Sequence, residues 1–282
     1  MSNFIGSATS DGAAFLPVEK IAFGHRLIAE DAVTVEEPLE IRLAYGPVND
    51  RKEQPISVTM RTPGQDKELA IGFLFTEGIL PGPEAVRAIR QPNGAATVTI
   101  ELTEEVAVDL GRLQRHFYTS SSCGVCGKTS IEALRTICPP PATTAEAPIE
   151  AALLYSLPTL LRQGQDIFDS TGGLHAAALF DRNGRMIKLR EDIGRHNALD
   201  KLIGHALQQG LLPLSNHILV LSGRACFELI QKAAMAGIKI IAAIGPPSTG
   251  AIQLAEEAGI TLVGFLRQER FNIYSGTHRI RI

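Results

Sequence analysis

Ile218-Leu219-Val220-Leu221-Ser222-Gly223-Arg224, Lys239-Ile240-Ile241-Ala242-Ala243-Ile244-Gly245-Pro246-Pro247-Ser248 and Thr261-Leu262-Val263-Gly264-Phe265-Leu266-Arg267 decide the fold of this chain. Each carries a short apolar run and closes on Gly, Ser, Pro or Arg, the pattern of a strand buried on both faces. Between them, Phe227 to Ala236 and Ala251 to Ala258 read as helices. Strand, helix, strand, helix, strand with right-handed crossovers predicts a parallel sheet. In such a sheet ligands lie beyond the carboxyl ends of the strands. Those ends are Ser222-Gly223-Arg224, the turn from Gly245 through Ser248 to Gly250, and Phe265-Leu266-Arg267. The first two lead into helix N-termini, where free N–H groups favour anions. With Arg224, Arg267 and Arg270 nearby, the edge reads as a phosphate or nucleotide pocket. The competing reading is of plain turns with solvated arginines.

Upstream, Leu174 to Phe180 and Met186 to Arg190 are strand-like, and Asp181-Arg182-Asn183-Gly184 joins them as a hairpin turn. Arg195 to Gln209 follows as a helix. Two polar clusters flank this hairpin, Thr171-Gly172-Gly173-Leu174-His175 and Glu191-Asp192-Ile193-Gly194-Arg195-His196-Asn197. The structural reading makes Asp192 a helix cap paired with Arg195, and His175 a hydrogen-bonded core histidine. A functional reading of Asp192, Arg195 and His196 together stands beside it.

Nearer the N-terminus, Val18 to Phe23, Leu39 to Tyr45, Ile56 to Arg61 and Ala95 to Leu102 read as strands. Gln65 to Leu80 reads as an amphipathic helix, stopped by Pro81. Ser130 to Ile137 and Glu150 to Leu161 read as further helices, the latter with Pro158 as a kink. The expected organisation is a disordered tail over 1–14, a small mixed α+β domain over 15–118, a CxxC loop and linker over 119–148, and an α/β domain over 149–282.

The loop contains Thr119-Ser120-Ser121-Ser122-Cys123-Gly124-Val125-Cys126-Gly127-Lys128. It has no apolar periodicity, so it reads as a mobile exposed loop, the usual place for reactive groups. The thiolate is the reactive species, and Lys128 and nearby N–H groups favour it. Cys123 and Cys126 are therefore the candidate working residues. Half a zinc site, a disulfide staple and a thiol–disulfide redox motif remain as alternatives. A second CxxC or an HxxxH partner is absent, so no metal ligand set is expected. Cys138 and Cys226 are expected to be dispensable.

The chain has 282 residues and a net charge of -3, which lacks the basic surplus of a nucleic-acid binder. No apolar run is long enough to span a bilayer. The first residues lack the pattern of a signal peptide, and sparse cysteine suits a reducing cytoplasm.

Taken together, Ser122-Cys123-Gly124-Val125-Cys126-Gly127, Thr171-Gly172-Gly173-Leu174-His175-Ala176-Ala177, Glu191-Asp192-Ile193-Gly194-Arg195-His196-Asn197-Ala198-Leu199-Asp200-Lys201 and Thr261-Leu262-Val263-Gly264-Phe265 resemble the FdhD family of formate dehydrogenase accessory sulfurtransferases. The resemblance implies a cytoplasmic homodimer with a small N-terminal domain and a cytidine-deaminase-like α/β C-terminal domain. It implies that sulfur passes from a cysteine desulfurase, through a cysteine persulfide, to the molybdenum cofactor of formate dehydrogenase. That cofactor is bis-molybdopterin guanine dinucleotide, for which GDP is a mimic. Cys123 matches the persulfide cysteine and Cys126 its partner. Phe265, Leu266, Arg267, Gln268, Glu269 and Arg270 fall on the cofactor-binding segment, without the Pro-Gly expected between its basic ends. A cofactor-holding chaperone is an alternative. Zinc-dependent deamination fits less well, because Ser122 stands where that chemistry has proline and Ala176-Ala177 follows His175.

Overall fold

The computed structural model describes residues 8–10, 12–106 and 147–282. Chain order begins with β1 (Ala8–Ser10), β2 (Ala13–Ala22), β3 (His25–Thr34), β4 (Glu37–Tyr45) and β5 (Lys52–Arg61). Then come α1 (Asp66–Thr76), β6 (Val86–Arg90) and β7 (Thr97–Leu102). The second half contains β8 (Ile149–Glu150), α2 (Ala151–Gln163), α3 (Asp166–Thr171), β9 (His175–Asp181), β10 (Met186–Asp192) and α4 (Arg195–Gln208). It closes with β11 (His217–Leu221), α5 (Phe227–Met235), β12 (Ile240–Ala243), α6 (Thr249–Glu257), β13 (Thr261–Gly264), β14 (Asn272–Ser275) and β15 (Ile280–Arg281). The CxxC motif and the helix expected over Ser130 to Ile137 lie outside the described residues.

The protein is α/β, and its centre is a six-stranded sheet of order β10-β9-β11-β12-β13-β14. Strands β11, β12 and β13 are parallel, as their buried runs predict, while β9, β10 and β14 are antiparallel to their neighbours. Alternation along β11 explains why both faces are covered. Leu219 and Leu221 join the core shared with α4, α5 and α6. Ile218 and Val220 face the opposite core under α2. The sequence reading missed β14, which is short, only partly buried and without a buried apolar run.

A second sheet, β5-β4-β7-β6, carries the first half of the chain. Its inward residues Leu39, Ile41, Leu43, Val98 and Ile100 belong to the same hydrophobic cluster as Leu199, Leu202 and Leu219. Helix α1 lies between the two sheets. It was expected to be amphipathic, but Leu69, Ala70, Ile71, Gly72, Leu74, Phe75 and Thr76 are all buried. The helix is covered on several sides because α4 closes the face that would otherwise meet water. A hairpin of β2 and β3 stands apart from both sheets, turning at Phe23-Gly24 with positive φ at both residues. Ala8–Ser10, within the stretch expected as a tail, adds a short strand to it.

Helices α1 and α4 cross in backbone contact. A Cβ added to Gly72 would lie 1.9 Å from the Asp200 carbonyl oxygen, and one added to Gly204 would lie 1.9 Å from that of Glu68. Ion pairs ring the crossing. Glu68 accepts two hydrogen bonds from Arg190, at 2.5 and 2.7 Å, and meets His205 at 3.1 Å. Burial opposes the Glu68 charge, yet Arg190 and His205 hold its carboxyl below the ordinary range. Deeper in, Lys232 donates to Asp200 at 2.9 Å, to Thr76 at 2.9 Å and to Glu77 at 3.1 Å. Burial pushes Asp200 up to about 6, against the pull of Lys232.

Gly204→Ala is expected to lower the unfolding free energy by about 1–3 kcal/mol or more, since the added methyl overlaps a carbonyl in a packed core. Alanine's helix-propensity advantage over glycine, about 1 kcal/mol, does not offset this. Urea titration of the two proteins measures the difference, and an unchanged or raised midpoint would contradict the crossing.

Candidate functional site

The edge of the central sheet gathers more than the three parallel strand ends. Because β9 runs antiparallel to β11, His175 at its start lies beside the end of β11. Because β10 runs antiparallel to β9, its last residue Asp192 pairs with His175. Ser222 continues this edge, donating its backbone N–H to the Ala176 carbonyl at 3.0 Å and accepting from the Ala176 N–H on its hydroxyl at 2.8 Å.

Two loops are laid against each other there. Ala225 N–H donates to the Pro246 carbonyl at 3.2 Å and Ser248 N–H to the Ala225 carbonyl at 2.9 Å. Gly245 makes the approach possible, since a Cβ there would sit 2.8 Å from the Arg224 nitrogen. Phe265 then turns the chain at φ 53°, a left-handed conformation that costs a bulky residue about 1–2 kcal/mol. The turn sends Leu266 back into the core, where it is fully buried, and leaves Phe265 and the 267–270 segment outside. Arg267 fastens the turn by donating to the Ile244 and Leu266 carbonyls at 2.7 and 2.8 Å. Gln268 donates to Thr159 on α2 at 3.0 Å.

Helix α2 and the 267–270 turn enclose an open cleft of about 760 Å³, lined by Pro158, Thr159, Arg162, Gln163, Arg267, Gln268, Glu269 and Arg270. A second chamber of about 450 Å³ shares Pro158 and Arg162 and runs inward past Phe168, Gly173, His175, Ser222 and Ile244. Arg162 lies 4.4 Å from the Phe168 ring centroid and pairs with Asp169 at 2.5 Å. Arg162, Arg267 and Arg270 thus line one cleft whose size suits a large anionic ligand. At the inner end, burial lowers the His175 pKa, Arg195 and Arg224 lower it further, and Asp192 opposes them. His175 therefore stands as a neutral imidazole at neutral pH, able both to donate and to accept a hydrogen bond.

Not all of the anticipated residues face this cleft. Arg267, Gln268, Glu269, Arg270 and Ser222 do. The Leu266 side chain belongs to the core, and Ser248 caps α6 by accepting the Ala251 N–H at 3.2 Å. Arg224 is exposed and acts on the site through its charge at His175. Cys123 and Cys126 lie outside the described residues. Asp192 does not pair with Arg195 as anticipated. It is fully buried, 2.8 Å from Lys201, and accepts from the Gly194 N–H and the Asn197 amide. Gly194, not Asp192, is the N-cap of α4. His175, expected in the core, lines the inner chamber. The wall formed by Pro158, Thr159, Arg162 and Phe168 carried no sequence signal, because only tertiary packing brings α2 and α3 over the sheet edge.

Residues 34–281 match the FdhD/NarQ family. The chain belongs to that family. It is 48% identical to the sulfur carrier protein FdhD of Mycolicibacterium paratuberculosis over 93% of this chain and 97% of that protein. It is 43% identical to the sulfur carrier protein FdhD of Picrophilus torridus, over 90% and 94% of the two chains. A crystal structure from Desulfotalea psychrophila, described as a formate dehydrogenase accessory protein, aligns with a TM-score of 0.76 at 26% identity, covering 95% of this chain and 99% of that one.

On the reading that this cleft takes a guanine nucleotide, Arg270→Ala is expected to weaken GDP binding by about ten- to a hundredfold, the loss of one charge-assisted contact of about 1.5–3 kcal/mol. Ser248→Ala, which removes a helix cap, should leave GDP affinity unchanged and lower stability by about 1 kcal/mol. Calorimetric titration checks both, and indifference to Arg270→Ala would place the nucleotide elsewhere.

Proposed function

We propose that this protein is a sulfur carrier. It takes sulfur from a cysteine desulfurase as a persulfide on Cys123 and passes it to the molybdenum cofactor destined for formate dehydrogenase. The observation that carries the reading is near-half identity, along almost the whole chain, to proteins named as sulfur carriers. The cleft supports it from the side of chemistry. Its arginines suit the diphosphates of bis-molybdopterin guanine dinucleotide, and its largely apolar inner chamber offers His175 and Ser222 as polar contacts for a bulky head. The second half of the chain is read as a cytidine-deaminase-like domain, supported by its mixed sheet with helices on both faces.

The chemistry follows from the two thiols. The Cys123 thiolate attacks the outer sulfur of the donor's persulfide, and the donor's cysteine thiolate leaves. Cys126 then attacks Cys123 sulfur, so that hydrosulfide departs to the metal and a Cys123–Cys126 disulfide forms. A cellular dithiol restores the two thiols. Within the cleft, Arg162, Arg267 and Arg270 hold the cofactor substrate's phosphates, and the neutral His175 hydrogen-bonds its inner end.

A cytoplasmic homodimer is part of the same reading. No helix among the described residues is long and apolar enough to cross a membrane. The β2–β3 hairpin exposes Ile21, Phe23, Leu27 and Ile28, which supports a surface covered by a second chain.

Incubation with desulfurase and cysteine, followed by intact-mass analysis and peptide mapping, tests the carrier role. One added sulfur on the peptide containing Cys123 is expected, and none in Cys123→Ala. A wild-type protein that gains no sulfur, yet still binds GDP, would leave cofactor holding without sulfur chemistry.

A further inference from the structure

His196 and Cys226 are thirty positions apart in the chain, and the fold brings them together. His196 is the second residue of α4, and Cys226 is the N-cap of α5. Imidazole Nε2 lies 3.3 Å from Sγ. Glu228, one residue into the same helix start, brings a carboxylate oxygen to the pair, and all three ligand atoms lie within 4.8 Å of one another. All three residues are half-buried. The simple account is a histidine–thiol hydrogen bond beside a carboxylate that complements a helix N-terminus. That account explains each pair but not the convergence of three different donor types on one point.

The distances fit a metal ion. Zinc bonds of about 2.3 Å to sulfur and 2.0 Å to nitrogen, at a tetrahedral angle, place S and N about 3.5 Å apart. Little movement would close that geometry here. The donors stand at the starts of two helices, and α4 is pinned to α1 by the glycine crossing, so the set is held on rigid elements. Charge also balances, because a thiolate and a carboxylate neutralise a dication. Burial and Glu228 raise the Cys226 pKa, while Arg195 and the Leu229 amide act in the opposite sense. A cation would displace the thiol proton, as metal binding to cysteine requires. Sulfur and imidazole donors disfavour magnesium and calcium, which take oxygen, and favour zinc and its thiophilic neighbours.

We propose that His196, Cys226 and Glu228 form a binding site for a thiophilic divalent cation, zinc by its donor set, with a fourth position left for a non-protein ligand. The site is independent of the sulfur-carrying reading and of Cys123 and Cys126. It differs from a CxxC zinc site in using one thiol and residues from two helix starts.

The full-length chain, stripped with a chelator, is titrated with cobalt(II) as a spectroscopic stand-in. A Cys123→Ala/Cys126→Ala background removes the other close pair of thiols. One equivalent should give a thiolate-to-cobalt charge-transfer band in that background. The band should vanish when Cys226→Ser is added, and cobalt affinity should fall by at least about tenfold with His196→Gln. As a check without substitution, zinc should slow alkylation of Cys226 in the wild-type chain, followed by peptide mapping. No band in the double variant, a band that survives Cys226→Ser, or a Cys226 alkylation rate indifferent to zinc would overturn the proposal.

Discussion

The crossing of α1 and α4 is the constraint on which the structure depends. Two helices meet with carbonyl oxygens where side chains would normally stand, and only Gly72 and Gly204 permit it. The contact joins the first sheet to the second as one hydrophobic core. It also brings Glu68 to Arg190 and His205, and Thr76 to Asp200, so the polar groups left by the close approach are satisfied. Asp192, Lys201 and the Thr62 backbone complete the seam beside it. Breaking one partner of such a buried pair costs about 3–5 kcal/mol, because the other charge stays behind.

The seam has a consequence for chemistry. Asp192 is spent on holding Thr62, Gly194, Asn197 and Lys201 in place, so it positions the start of α4 rather than acting on a ligand. Arg195 and His196 follow directly, with their orientation set by that anchor. On the outer side of the sheet edge, Phe265 accepts a left-handed backbone and Arg267 bonds two carbonyls, which keeps the 267–270 turn over α2. The cleft is therefore built from rigid parts.

Much of this was legible in the sequence. The runs at 218–221, 239–244 and 261–266 announced parallel strands because burial on both faces removes polar alternation. The Asp181 to Gly184 turn announced its hairpin because Gly184 takes positive φ. Burial of α1 was not legible, since periodicity reports one neighbour and this helix has several. The β3 strand escaped notice because it is mostly exposed, so no apolar face marks it. At the site, Arg267 and Arg270 could be placed from strand ends alone. Arg162 and the pairing of His196 with Cys226 depend on contacts between elements far apart in sequence. Cys226 stands at a strand–helix junction, which in sequence marks no partner, and the fold gives it His196 and Glu228 as neighbours.

Formate dehydrogenase activity in cells lacking their own family member, supplied with this chain or its variants, tests the central claim most directly. The account predicts that the wild-type chain restores activity, that Cys123→Ala restores none although it is present and binds GDP, and that Arg270→Ala restores only part. Full activity supported by Cys123→Ala would contradict sulfur carriage by this protein.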